Sequence, residues 1–186
     1  MTYKADSITV RSIMDQFIKN DVIREKLRYI CANKRNDWEK WLQMELEFFM
    51  SDLDGIMVDR EIPATPDNRK LKDQYSMYID LVFRKKRTRR NSYIFLELKC
   101  TKDVQALING FNRDANKIYA IRECMYDTRS YWCVGFHKNC TDKSLNKIRK
   151  FVSGHQHGYH EVIKLCDCPE DYECECEDNK IGFAVI

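Results

Sequence analysis

Apolar residues recur at helical spacing through the first part of the chain: Ile8, Val10, Ile13, Met14, Phe17, Ile18, Val22, Ile23, Leu27 and Ile30. That spacing predicts one or two amphipathic helices over 8–31. Asn36 or Asp37 is placed to cap a further helix running to about Met50, since a short polar side chain there accepts the orphan N–H groups of a first turn. Residues 51–55 read as a turn and 56–62 as a short strand. The stretch 63–73 reads as a loop, because it sets two prolines among polar residues. Two runs rich in Tyr, Ile, Phe and Val, 75–83 and 93–100, predict strands on either side of a basic hairpin tip, RKKRTRR at 84–90. Asp103 can cap a helix through about Arg122. A strand at 131–136, a helix at 142–152 and a last strand at 181–186 complete the order. Helix, three strands, helix, strand and helix describe an α/β chain of one domain over 1–186, with N-terminal helices in 1–35.

The hairpin carries the chemistry, in YIDLVF and YIFLELK. Alternate side chains of a strand share a face, so Glu97 and Lys99 project together. A hairpin symmetric about its tip turns between Thr88 and Arg89, which sets Asp80 opposite Glu97. Two carboxylates and an amine then share one patch. The flanking residues are apolar on both faces, which predicts a sheet covered on both sides. Carboxylates in such surroundings are costly unless a metal or a counter-charge compensates. The plainer reading is a cross-strand ion pair on an exposed hairpin. On a helical wheel, Trp38, Trp41, Leu42, Phe48 and Phe49 form one arc with Glu45 at its middle, while Glu39, Lys40, Gln43 and Glu47 take the opposite side. An acid inside an apolar stripe needs a partner. Either a metal site beneath the helix or a buried cation supplies one.

These residues resemble the PD-(D/E)XK nuclease superfamily, the fold of many restriction endonucleases and DNA-repair nucleases. The matching positions are Asp80, the Glu97-Leu98-Lys99 triplet and the helical Glu45, within a core of 37–136. Ile79 stands where the motif often has proline. The resemblance implies a restriction-endonuclease-like core: a mixed central sheet with a three-strand meander flanked by helices. It implies a metal-dependent endonuclease acting on DNA, of restriction or defence type, working as a homodimer that cuts both strands. Asp80, Glu97 and the Leu98 carbonyl are then the ligands of Mg²⁺, for which Mn²⁺ substitutes. Lys99 positions the attacking water and stabilises developing charge, and Glu45 binds a second cation or orients a water. Asp114 and Lys117, one turn apart on the next helix, read more simply as a surface pair.

Charge sharpens the picture. The chain has 186 residues, 33% of them charged, and a net charge of +3. Residues 165–178 hold seven acids and no Lys or Arg, which leaves 32 basic against 22 acidic residues elsewhere. A body so basic suits a phosphate-rich partner. The tip residues Arg84, Lys85, Lys86, Arg87, Arg89 and Arg90 are the candidates for backbone phosphate contacts. They stand on the order of 25 Å from the acids at about 3.3 Å per residue, too far for catalysis within one subunit. A charged, solubilising turn is the alternative.

Nine cysteines (31, 100, 124, 133, 140, 166, 168, 174 and 176) give an odd count without an apolar export signal at the N-terminus. Both features predict free thiols in a cytoplasmic protein rather than a disulfide framework. No apolar run approaches the roughly 18 residues that span a bilayer, so no membrane partner is expected. Cys166, Cys168, Cys174 and Cys176 can together hold structural Zn²⁺, with His155, His157, His160 or Cys140 in support. An acidic hairpin with free thiols is the plainer reading. Two further functions share the fold: a catalytically silent nucleic-acid-binding or regulatory protein, and an RNA endonuclease of the cap-snatching type. The second usually carries an upstream His ligand, and no His precedes His137 here.

Overall fold

The computed structural model describes residues 2–71, 75–87, 92–166, 168 and 180–186. Two helices open the chain, α1 (Thr2–Lys19) and α2 (Asp21–Ala32), followed by α3 (Glu39–Ser51). Strands β1 (Ile56–Pro66), β2 (Met77–Lys85) and β3 (Ser92–Thr101) form the meander. Helix α4 (Val104–Tyr119) leads through β4 (Ile121–Cys124) to β5 (Asp127–His137). Helix α5 (Asp142–Ser153), β6 (Tyr159–Lys164) and β7 (Lys180–Val185) end it. Among the described residues seven strands make one mixed sheet in the order β4-β1-β2-β3-β5-β7-β6, in which β3 and β5 run parallel and the other pairs antiparallel. No helix among the described residues is long and apolar enough to cross a membrane.

The N-terminal apolar run breaks into two helices at Asn20, whose side-chain oxygen accepts from Val22 N and Ile23 N and so starts α2. Helix α3 begins later than Asn36 or Asp37 suggests, with Trp38 at its cap position, so Glu39 lies in its first turn. Strand β1 runs through the two prolines read as a loop. Pro63 lies just before the β4 ladder begins at Ala64, and Pro66 follows a register shift, both places where a missing N–H is tolerated. The edge strands β4 and β6 are additions to the expected order. Every residue of β6 is half-buried, so it lacks the alternation that marks a strand in sequence.

The two faces of the sheet are covered by different helices. Leu81, Ile94, Leu96, Leu98 and Phe136 pack with buried residues of α1, α2 and α3. On the other face, Leu107 and Phe111 of α4 and Ile148 and Val152 of α5 pack on Cys133 and Ala184. Alternation puts Asp80, Glu97 and Lys99 on this second face, beneath α4. Helix α3 therefore lies across the sheet from them.

Candidate active site

The β2–β3 ladder pairs Phe83 with Ile94, Val82 with Phe95 and Leu81 with Leu96, then ends. That register sets Asp80 opposite Glu97, as hairpin symmetry suggests. Beyond this point β3 continues only with β5, as far as Thr101, and its other edge is left open. Two carboxylates close it. Asp80 Oδ2 accepts from Leu98 N at 2.8 Å, and Glu39 Oε2 accepts from Cys100 N at 3.0 Å. The carbonyl of a strand residue leaves on the same edge as its N–H, so the Leu98 carbonyl emerges between these two acids.

Three more contacts and a glycine complete the cluster. Glu39 Oε1 accepts from Lys99 Nζ at 3.2 Å, and Glu97 Oε2 accepts from Lys117 Nζ at 2.6 Å. Asp114 Oδ2 lies 3.7 Å from Lys99 Nζ. Gly110 of α4 lets the Lys99 stem pass, since a Cβ there would stand 2.8 Å from Lys99 Cγ. Four carboxyl groups (Glu39, Asp80, Glu97, Asp114) thus meet two ammonium groups (Lys99, Lys117), so full ionisation would leave negative charge in excess.

Burial makes that excess costly. Glu97 is 2% exposed, and its Oε1, like Asp114 Oδ2, is buried without a hydrogen-bond partner among the described residues. Burial, reinforced by the charge of Asp80, pushes the Glu97 carboxyl up to about 8 in spite of Lys117. Burial also raises Asp80, against the Leu98 N–H that favours its ionised form, and raises Asp114 against Lys99 and Lys117. For Lys99, burial disfavours the charge, but Asp114 and Glu39 outweigh it and hold the ammonium above its ordinary value. Buried carboxyl oxygens with no partner, beside a backbone carbonyl, are the donor set of a hard divalent cation, which is held through one or two carboxylates and keeps several waters. The residues fit Mg²⁺ in that sense. Among the described residues no group of three or more His, Cys, Asp or Glu side chains is arranged to hold a metal ion, at this cluster or elsewhere, so a cation here would rest on two carboxylates, the Leu98 carbonyl and waters.

Several sequence candidates lie elsewhere. Glu45 is not beside Asp80 and Glu97. Its Oε1 accepts from Lys26 Nζ at 2.5 Å and from Trp41 Nε1 at 3.1 Å, between α3 and α2. The apolar arc misleads because Phe48 is 68% exposed, while the buried side of α3 is Leu42, Gln43, Leu46 and Met50. Glu39, placed by the wheel on the outer side, is the acid that reaches the site. It does so from the first turn, past the end of the helix and around the open edge of β3. Asp114 and Lys117 are likewise not a surface pair, since both enter the site.

At the basic tip, Arg84 is buried. Its Nε donates to the Tyr93 hydroxyl at 3.4 Å and its Nη1 to the carbonyls of Lys85 and Lys86, both at 3.3 Å. It therefore holds the hairpin rather than presenting a charge. Lys85, Lys86 and Arg87 are exposed, while Arg89 and Arg90 lie outside the described residues. Cys166 and Cys168 follow β6 and are half-buried, and Cys174 and Cys176 lie outside the described residues. His160, named beside that tail, is committed to His137, with Nε2 to Nε2 at 3.0 Å.

No protein-family model, curated protein or solved structure matches the chain.

Proposed function

We propose that this chain is a metal-dependent nuclease of restriction-endonuclease-like architecture that hydrolyses phosphodiester bonds, with DNA as its substrate. One observation carries the reading: the open edge of β3, where Asp80 and Glu39 cap Leu98 N and Cys100 N beside Glu97 and Lys99. Asp80, Glu97 and the Leu98 carbonyl are the donors for Mg²⁺ or Mn²⁺, and Glu39 takes the supporting role that the sequence suggested for Glu45. When bound, the cation neutralises phosphoryl oxygens and lowers the pKa of a coordinated water.

The chain's own residues do the rest. Lys99, held charged between Glu39 and Asp114, donates to the attacking water or to a phosphate oxygen and offsets the charge that grows on phosphorus. Lys117 keeps the Glu97 carboxylate in place through its bond to Oε2. The buried setting of Glu97 strengthens each of these interactions. Lys85, Lys86 and Arg87 track the phosphate backbone at a distance. Cleavage of both strands of a duplex calls for two sites, so the working form is a homodimer; one mass by light scattering, the monomer's, with and without DNA would exclude it.

The deciding assay is cleavage of plasmid and single-stranded DNA by wild type, Asp80→Ala and Lys99→Ala in Mg²⁺, Mn²⁺ or EDTA. Metal-dependent cutting that both substitutions lower by at least about a hundredfold is expected. A wild type that binds DNA but cuts nothing in either metal makes the silent nucleic-acid-binding protein the better account.

A further inference from the structure

The carboxyl ends of the parallel pair β3 and β5, at Thr101 and His137, open onto a cavity of about 320 Å³. Open α/β sheets place their ligands at such ends, in the crevice between the loops that follow the strands. Three segments build this one. Lys34 and Asn36 come from the link between α2 and α3, Lys102 from the turn into α4, and Lys138 and Asn139 from the turn into α5, with buried Cys31 at the end of α2. The two turns are tied together, since the Lys102 carbonyl accepts from Lys138 N at 3.2 Å and from Asn139 N at 3.0 Å. Lys138 Nζ ties the link to them by donating to the carbonyls of Ile30, at 3.2 Å, and Arg35.

The wall of the cavity has one sign of charge. It holds three lysines and, among the described residues, no Asp or Glu. Asp103, next to Lys102, gives its carboxylate to Ala106 N at 3.0 Å as the cap of α4, and Asp37 lines a separate cavity between α2 and α3. Neither Lys34 nor Lys102 gives its ammonium to a carboxylate of the described residues. A cleft lined by cations focuses the field and gathers anions. Lys34 is there at a cost to the backbone. Its φ is 52°, at the position after α2 that glycine usually takes, with Lys34 N on the Cys31 carbonyl and Arg35 N on the Ile30 carbonyl, both at 3.1 Å. The dipole of α2 favours a cation at this end, but Lys138 already supplies one. Asn139 Oδ1 accepts from Thr141 N at 3.1 Å and Thr141 Oγ1 at 3.0 Å, which leaves its NH₂ group to donate.

The cavity stands at the same end of β3 as the candidate active site. Lys102 follows Lys99 by three residues, about 10 Å along an extended strand. Asn36 precedes by three residues the Glu39 that holds Lys99 Nζ and Cys100 N. We infer that the cavity holds one phosphate group of the bound strand, beside the phosphodiester that meets Lys99. Lys34 and Lys102 neutralise its charge, and the amides of Asn36 and Asn139 donate to its oxygens. Such a contact sets the register of the strand and reads no sequence. The phosphate chemistry comes from the cavity itself, whereas its source, a strand, rests on the nuclease reading.

The test is fluorescence anisotropy of a labelled oligothymidylate in EDTA over a series of salt concentrations. Lys34→Gln combined with Lys102→Gln is expected to lower the slope of log Kd against log salt by about 0.7, the share of one phosphate on a single strand. Lys4→Gln, at an exposed lysine of α1, should leave the slope unchanged. A neutral methylphosphonate placed at each linkage in turn should cost about tenfold at one position in wild type and nothing there in the double variant. An unchanged slope in the double variant, an equal fall in Lys4→Gln, or no discriminating linkage overturns the pocket and leaves the nuclease reading standing. If wild type binds no oligomer, titration with inorganic phosphate decides. Shifts of the Lys102 and Asn139 amide signals that the double variant loses uphold the pocket and sink the nuclease reading, and the absence of any shift sinks both.

Discussion

Two glutamates on one helix show how position decides role. Glu45 spends its carboxylate on Lys26 and Trp41, with its side chain 23% exposed, whereas Glu39 reaches Lys99 and Cys100 N. Glu39→Gln is therefore expected to lower metal-dependent cleavage by at least tenfold, while Glu45→Gln leaves kcat unchanged and costs about 1 kcal/mol or less of stability. Equal losses of activity in the two variants would show that the assignment is wrong. Gly110 offers a finer probe. A methyl group there presses on the Cγ, Cδ and Cε atoms of Lys99, at 2.8, 3.0 and 3.3 Å, and a flexible stem can swing aside. Gly110→Ala should fold and bind metal, yet cut more slowly because the ammonium is displaced; an unaltered kcat would remove Lys99 from the chemistry. The pairing of Asp80 with Glu97 was readable from the sequence, because strand alternation and a symmetric hairpin leave little freedom. The role of Glu39 was not, since it depends on where α3 begins and on how a side chain passes around a strand edge.

At the level of elements, periodicity located the long helices and the buried strands but not the edges. Strands β4 and β6 carry no clean alternation, and they exist because β1 and β7 offer them unpaired backbone. Single polar contacts then fix how elements dock. Asp6 of α1, 2% exposed, binds Arg129 Nη2 at 2.6 Å and accepts from Ser130 Oγ at 2.9 Å, which ties the first helix to β5. Asp6→Ala strands a guanidinium and is expected to cost about 3 kcal/mol, read as a lower urea midpoint. A loss within error would mean that α1 is held by its apolar face alone.

The pair His137 and His160 joins β5 to β6 across Gly182, where a Cβ would stand 2.0 Å from His137 Nε2. Ring centroids 5.3 Å apart with Nε2 atoms at 3.0 Å mean that the imidazoles meet head-on, the geometry of an N–H···N bond with no room for a metal between them. His137 Nδ1 lies 2.9 Å from the Asn139 carbonyl and must donate to it, so for neutral rings His160 Nε2 is the donor to His137. Burial, then His137 and Arg149, lower the His160 pKa from 6.5 to about 4. A lowered histidine contributes stability that is present above pH 6.5 and lost as pH falls toward about 4. In urea titrations across that window, wild type should lose stability relative to His160→Gln, whose amide nitrogen can make the same bond. A constant difference between the two would refute the linkage.

For the molecule as a whole, the sheet separates two tasks. One face, under α1 to α3, is a continuous apolar core. The other carries, beneath α4, a cluster whose four carboxylates exceed its two ammonium groups. Such a cluster destabilises the fold unless a cation joins it, so stability and function should move in opposite directions. Asp80→Asn keeps an oxygen for Leu98 N while removing a buried charge, and Glu97→Gln fixes the neutral state that burial already favours there. Both variants are expected to unfold at or above the wild-type temperature in EDTA. Added Mg²⁺ should then raise wild type by about 2.7 kcal/mol at a hundredfold excess over Kd, on the order of 5–10 °C for a chain of this size, and leave both variants unmoved. Scanning calorimetry with and without the cation separates the cases. If wild type does not respond, or the variants respond equally, the acids form a network of ion pairs closed by Lys99 and Lys117. The open edge of β3 would then be a structural seam rather than a catalytic one.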